Sequence, residues 1–147
     1  MRRTFPLLTV MTLALATPAA AGDLLYPGGT LLSEGAIGKP VWEIQAECAG
    51  LFGATSNILA SNGDTRGADA AKAQGVAFFQ DGVERLMRDR GISRAAAIAA
   101  ASPAVDAGRA GALQSIRSGG FGPRSGWNTA RSICLDVADV YRGIRYR

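Results

Sequence analysis

The stretch VWEIQAECAGLFGATSNIL, residues 41–59, decides the fold of this chain. At about 100° per residue, its apolar side chains fall on one continuous stripe, whereas Glu43, Glu47 and Ala54 fall on the opposite side. The stripe consists of Val41, Ile44, Cys48, Leu51, Phe52, Thr55, Ile58 and Leu59. This pattern predicts an amphipathic helix with one face to bury. Pro40 fits the first turn of this helix, and Asn62-Gly63 is a stop signal.

The chain has two cysteines, and each lies in the middle of an apolar stripe. Cys48 belongs to the first helix, and Cys134 belongs to a stripe near the C-terminus. That second stripe consists of Ala130, Cys134, Val137, Tyr141 and Ile144. The N-terminal residues 1–21 have the basic and then apolar pattern of a secretory signal, and two cysteines in an exported protein predict one disulfide. We therefore predict a Cys48–Cys134 bond between the first and the last helix.

Two further helices are predicted between these stripes. Asp64 or Thr65 can cap the second helix, Gly91 ends it, and Ser93 can cap the third. The second helix buries Ala68, Ala71, Gly75, Phe78, Phe79, Gly82 and Leu86. Gly75 and Gly82 on that stripe indicate close packing of a neighbouring helix, with Gly53 of the first helix in a similar but weaker role.

The third helix is interrupted by Pro103, yet its stripe keeps one phase across the proline. The stripe consists of Ile98, Ala101, Val105, Gly108, Ala112 and Ile116. A preserved phase favours a kink or two collinear halves. The predicted fold is therefore all-α: an up-and-down four-helix bundle with a kinked third helix, a disulfide between helices 1 and 4, and an extended N-terminal arm. Residues 22–147 form its single helical domain.

The N-terminus has the pattern of a secretory signal peptide over residues 1–21. Met1-Arg2-Arg3 is followed by a short apolar run and by small residues before a cut near Ala21. The run is too short to cross a bilayer, and no later segment is apolar enough. We expect a periplasmic or secreted protein with no membrane span after cleavage. Arg2-Arg3 also matches part of the twin-arginine pattern, which directs export in a folded state. Because the motif is incomplete, we expect ordinary export of the unfolded chain.

The net charge that remains after removal of the signal peptide bears on the class of partner. Loss of Arg2 and Arg3 lowers the net charge from +4 to +2, so the basic isoelectric point gives no case for nucleic-acid binding.

The segment 22–38 carries two leucine pairs around the turn signal Pro27-Gly28-Gly29. We interpret it as an arm whose leucines lie on the bundle; a tail that docks on a partner is the alternative.

The composition excludes most catalytic chemistry. The chain has no histidine, which removes Ser/His/Asp and Cys/His nucleophilic systems and histidine metal ligands. Two carboxylate pairs remain, Glu43 with Glu47 and Asp136 with Asp139, and both fit solvated helix faces better than a catalytic cleft. We expect no cofactor, no metal and no enzymatic activity.

The loop before the last predicted helix carries an aromatic residue that belongs to none of the apolar helix stripes. The glycine-rich segment 119–126 places Phe121 beside Arg124 and near Trp127, and aromatic and guanidinium groups are the usual anchors of protein interfaces. The alternative is that Phe121 plugs the end of the bundle. The loop lacks the Gly-Lys-Ser/Thr ending of a phosphate-binding loop. Phe121, Arg124 and Trp127 are thus the candidate partner contacts.

These observations together predict an exported, non-catalytic, monomeric protein that binds another envelope protein or a small ligand. A carboxylate-type envelope enzyme, for instance one acting on polysaccharide, is one alternative. A structural or stress protein of the envelope is another.

Overall fold

The protein is described here by a computed structural model that covers residues 38–144, with side chains up to Asp139. Within that range the backbone forms helices and turns without a strand. The helices are α1 (Val41–Ser61), α2 (Thr65–Arg90), α3 (Arg94–Gly119) and α4 (Gly126–Ile144). The predicted all-α bundle is confirmed. The predicted signal peptide and nearly all of the N-terminal arm lie outside the described residues.

Contacts between the helices show that their directions alternate. The Ser56 hydroxyl donates to the carbonyl of Ala68, whereas Gly82 lies against Trp42, so α2 runs antiparallel to α1. The Arg90 guanidinium also lies over the Trp42 ring, which places the end of α2 and the start of α3 beside the start of α1. Since α4 begins near Thr55, α3 runs parallel to α1. This is the up-and-down order expected from the sequence.

The predicted disulfide joins the first and the last helix. Cys48 and Cys134 are bonded, with their Cα atoms 5.7 Å apart. Both cysteines are buried, and Val137 on the next turn of α4 packs into the same core. This core also receives Phe52 of α1 and Phe78 of α2, whose rings stack at 5.6 Å between centroids. The bond therefore ties α4 to the centre of the bundle.

Helix α1 is buried on more sides than its sequence pattern predicts. Ala54, expected on the exposed side, is only 2% exposed, and Gln45 and Ala46 are buried too. The expectation of a single buried face is wrong because α2, α3 and α4 all contact α1. Helix α1 begins after Pro40, which is its N-cap rather than a residue of its first turn. It ends at Asn62-Gly63 as predicted.

Glycines set the distance between α1 and its neighbours. A Cβ atom at Gly75 or Gly82 would lie 3.1–3.4 Å from atoms of α1, which confirms the predicted close packing of α2. The closest approach, however, is between α1 and α3: a Cβ at Gly50 would overlap the carbonyl oxygen of Val105, and one at Gly108 would overlap that of Glu47. The expectation for Gly53 is wrong, because a Cβ there would meet nothing within 4 Å.

Helix α3 continues through Pro103, as its preserved phase predicts. Proline cannot donate a backbone hydrogen bond, and its ring crowds the preceding turn. The predicted kink of α3 is therefore expected at Pro103. The predicted stripe is off by one residue at its start, because Ile98 is 36% exposed while Ala97 is fully buried. Ala97, Ala101 and Ala104 pack against Val83 and Leu86. Small side chains are buried here because the helices lie close together.

The predicted caps are present at the starts of α2 and α3. The Asp64 carboxylate accepts a hydrogen bond from the backbone N–H of Gly67 at 2.9 Å. The Ser93 hydroxyl accepts one from the backbone N–H of Ala96 at 3.3 Å. Helix α2 ends at Gly91, whose φ of +62° lies in the left-handed region.

Candidate functional site

The connection between α3 and α4 brings two of the predicted contact residues together. The rings of Phe121 and Trp127 are 4.8 Å apart between centroids and perpendicular, which is the favoured edge-to-face arrangement. Both side chains are half-buried. Each ring therefore keeps part of its surface open to solvent at this end of the bundle.

The Trp127 ring is held in place by a chain of hydrogen bonds into α1. Its indole N–H donates to the Thr55 hydroxyl at 2.8 Å, and that hydroxyl donates to the carbonyl of Leu51 at 2.9 Å. Thr55 is buried, so the acceptor of the indole is shielded from water. These hydrogen bonds fix the orientation of the Trp127 ring relative to α1.

The loop itself is held by hydrogen bonds, although a glycine-rich sequence is compatible with many backbone conformations. The Ser125 hydroxyl donates to the carbonyl of Gly122 at 2.7 Å and accepts from the backbone N–H of Asn128 at 3.2 Å. The Asn128 side-chain amide donates to the carbonyl of Pro123 at 3.0 Å. Ser125 thereby caps the first turn of α4 and ties the loop to it.

The arginine over the tryptophan is not the one singled out by the sequence. Arg124 is exposed in the loop, whereas the Arg131 guanidinium lies 5.9 Å from the centroid of the Trp127 ring. Arg131 follows Trp127 by four residues on α4, a spacing that places two side chains on the same helix face. This four-residue spacing is the sequence signal that indicates Arg131. We call the surface formed by Phe121, Arg124, Trp127 and Arg131 the aromatic end.

A concave surface lies along the side of the bundle, between α1, α3 and α4. Its volume is about 310 Å³, which falls at the lower limit of the range for small-molecule pockets. The lining residues are Lys39, Ile44, Glu47, Cys48, Leu51, Ala107, Gly108, Gly111, Ala112, Ser115, Ala130, Ile133 and Cys134. We call this surface the side groove. Its lining is mostly apolar, and the disulfide contributes to it.

The charged groups at the rim of the side groove are paired with each other. The Lys39 ammonium forms an ion pair with Glu47, and both side chains are partly buried. The expectation that Glu43 and Glu47 lie on a solvated face is therefore wrong for Glu47, and Glu43 is half-buried as well. Packing of α3 on this side of α1 is the cause. Asp136 and Asp139 are exposed, as expected for a solvated helix face.

In the part of the chain that the structure describes, no three acidic or cysteine side chains converge as metal ligands would. Between Gly38 and Ile144, none of the helices combines the length and the apolar character needed to cross a bilayer.

Comparison of the sequence with protein-family models and with curated proteins, and of the structure with solved structures, finds no match.

Proposed function

We propose that this protein is exported, has no catalytic activity, and works by binding another protein of the cell envelope through the aromatic end. The observation that carries the proposal is the edge-to-face pair of Phe121 and Trp127, with Trp127 fixed by its hydrogen bond to Thr55. A surface that is already in its binding conformation loses less conformational entropy when a partner docks.

The chemistry of the aromatic end indicates the kind of partner. The aromatic end combines two half-buried rings with the Arg131 guanidinium, which lies over Trp127, and with Arg124, which is exposed in the adjoining loop. Aromatic and arginine side chains dominate the binding energy of protein interfaces. Such a surface complements an apolar patch bordered by carboxylates. We therefore expect a partner with an acidic docking surface.

Two features support export. The first 21 residues have the pattern of a secretory signal. The Cys48–Cys134 bond is the second, because disulfides persist in oxidising compartments such as the periplasm. The proposal of a non-catalytic role is supported by the lack of histidine in the whole sequence and by the use of Glu47 in an ion pair.

The proposal is tested by affinity capture from the envelope fraction with the purified protein. The variant carrying Phe121→Ala and Arg124→Ala should lose capture of the partner while keeping its helical circular dichroism and its melting temperature nearly unchanged. Val76→Ala is the matched control, because Val76 is 49% exposed on α2 and belongs neither to the aromatic end nor to the lining of the side groove. Undiminished capture by the double variant would place the binding site elsewhere. Unfolding of the double variant would instead show that Phe121 is a structural plug.

A further inference from the structure

The side groove has a mostly apolar lining with no long side chain on its α3 wall. The residues of α3 that line it are glycines, alanines and a serine. A Cβ at Gly111 would meet nothing within 4 Å, so the groove is open at that point. Ile44 and Leu51 supply apolar surface from α1, and Ile133 and the disulfide supply it from α4. The lining therefore suits an apolar group.

The dimensions of the groove fit one short alkyl chain. At about 1.5 Å per residue, the lining extends about 10 Å along α1, from Ile44 to Leu51, and about 12 Å along α3, from Ala107 to Ser115. Carbon–carbon bonds of about 1.5 Å advance an extended chain by about 1.25 Å per carbon, so about eight to ten carbons cover this length. The volume of about 310 Å³ gives a similar number, because a methylene group occupies about as much space as a water molecule, about 30 Å³.

The charged groups of the groove are a cation and an anion next to each other. Among the described residues that line it, Lys39 and Glu47 are the charged ones, and their side chains are 33% and 27% exposed. Lys39 contacts one carboxylate oxygen of Glu47, which leaves ammonium N–H groups and the second carboxylate oxygen for a ligand. Glu47 repels a head that is only negative, and Lys39 repels one that is only positive. The complement of this ion pair is a head that carries both charges.

We propose that the side groove binds a single-chain phospholipid with a zwitterionic head. The acyl chain lies along Ile44, Leu51 and Ile133. The phosphate accepts charge-assisted hydrogen bonds from the Lys39 ammonium, and the cationic end of the head lies beside Glu47. This site uses none of the residues of the aromatic end, so the inference goes beyond the proposed function and does not depend on it.

The test is an NMR titration of the purified, disulfide-bonded protein with dodecylphosphocholine below its critical micelle concentration. The methyl resonances of Ile44 and Ile133 should shift until they saturate. Those of Ile98, which is exposed on α3 and does not line the groove, should stay unchanged. Dodecyl maltoside has the same chain but an uncharged head. It should bind at least about tenfold more weakly, because it lacks the charge-assisted contacts with Lys39 and Glu47.

The length of the chain provides a second measurement. In a series of alkylphosphocholines, each further methylene group should raise the affinity about fourfold up to a chain of about ten carbons. Longer chains should gain little, because their additional carbons lie outside the groove. A constant gain per methylene group up to the tetradecyl compound would contradict a groove of this size.

Two variants locate the two parts of the ligand. Lys39→Gln with Glu47→Gln removes both charges, and dodecylphosphocholine and dodecyl maltoside should then bind with affinities within about twofold of each other. Gly111→Leu takes the space of several methylene groups of the chain and should weaken the binding of dodecylphosphocholine by about tenfold or more. Val76→Leu is its matched control on the exposed side of α2 and should leave the binding unchanged.

Three outcomes would overturn the inference. One is the absence of a saturable shift at Ile44 and Ile133. Another is equal affinity of the unmodified protein for the zwitterionic and the uncharged compound. The third is undiminished binding by Gly111→Leu at an unchanged melting temperature, which would place the amphiphile outside the side groove.

Discussion

At the scale of single residues, the contact between α1 and α3 depends on Gly50 and Gly108. Each lies where the backbone of the other helix passes, and a Cβ at Gly108 would come within 2.6 Å of the Glu47 carbonyl carbon. A helix backbone cannot move aside as a flexible side chain can, so a methyl group here must push the two helices apart. The neighbouring alanines would then lose their close contacts.

We therefore expect Gly50→Ala and Gly108→Ala each to lower the free energy of unfolding by about 2 kcal/mol or more, despite alanine's better helix propensity. Gly53→Ala in the same helix is the matched control, because its Cβ has open space around it. It should raise the free energy of unfolding by about 0.5–1 kcal/mol. Urea denaturation measures all three. A gain of stability in Gly50→Ala would contradict the close approach of α3.

The hydrogen bond between Trp127 and Thr55 gives a second prediction. Thr55→Val keeps the shape of the side chain but removes the acceptor of the indole N–H. We expect a loss of about 1 kcal/mol in the free energy of unfolding. The indole N–H resonance of Trp127 should also shift, whereas that of Trp42 should not. An unchanged Trp127 resonance would show that the bond does not form in solution.

The sequence allowed only some of these contacts to be predicted. The sequence indicates close packing at Gly75 and Gly82 because both lie on a stripe with large apolar residues. The apolar stripe of α1 does not indicate Gly50, because α1 is contacted from several sides and a single stripe cannot describe such a helix. Thr55 and Trp127 are 72 residues apart in sequence, and no local pattern indicates a pairing over that distance.

At the scale of the elements, the four helices and their ends follow from local sequence. Caps, glycine stops and apolar periodicity all act within a few residues, so the boundaries of α1 and α2 could be predicted closely. The burial of Ala54 and Ala97 could not, since it depends on which helices approach and how closely. Alanine carries too little apolar surface to give a strong periodic signal.

The cap of α2 is tested by Asp64→Ala. This change removes the acceptor of the Gly67 backbone N–H, and we expect it to lower the free energy of unfolding by about 1 kcal/mol. Asp64→Asn keeps an acceptor oxygen and is the matched control, with an expected change of only a few tenths of a kcal/mol. Thermal unfolding followed by circular dichroism compares the two. Equal losses in both variants would mean that the negative charge, rather than the hydrogen bond, is what stabilises the helix start.

At the scale of the whole molecule, the disulfide links helices that are far apart in sequence. Cys48 and Cys134 are separated by 86 residues, and their bond joins α4 to the buried core around Phe52. The bond thus secures the helix that carries Trp127 and Arg131. The pairing itself could be predicted from the presence of only two cysteines.

Removal of this bond by Cys48→Ala with Cys134→Ala should destabilise the protein by up to about 4–5 kcal/mol, from the restored entropy of the unfolded chain. Urea unfolding of the variant and of the unmodified protein, each with and without a reducing agent, measures the effect. The reducing agent should shift the midpoint of the unmodified protein only. A midpoint that is insensitive to reduction in both proteins would contradict a stabilising role of the bond.

The arrangement of the aromatic end could be predicted only in part from the sequence. The proximity of Phe121 and Trp127 follows from their short separation and from the start of α4 between them. Arg131 lies over Trp127 because the two residues are four positions apart on α4. The exposed position of Arg124 could not be predicted, because hydrogen bonds through Ser125 shape the loop. Such details are set by side-chain packing and not by composition.

The most direct test of the central claim, that the aromatic end is the partner surface, is site-specific photo-crosslinking in the cell envelope. A photoreactive amino acid replaces Pro123, which is exposed between Phe121 and Arg124, and in a parallel strain it replaces Val76 on α2. The account predicts a discrete crosslinked protein from position 123 and none from position 76. The same adducts from both positions, or none from position 123, would contradict it.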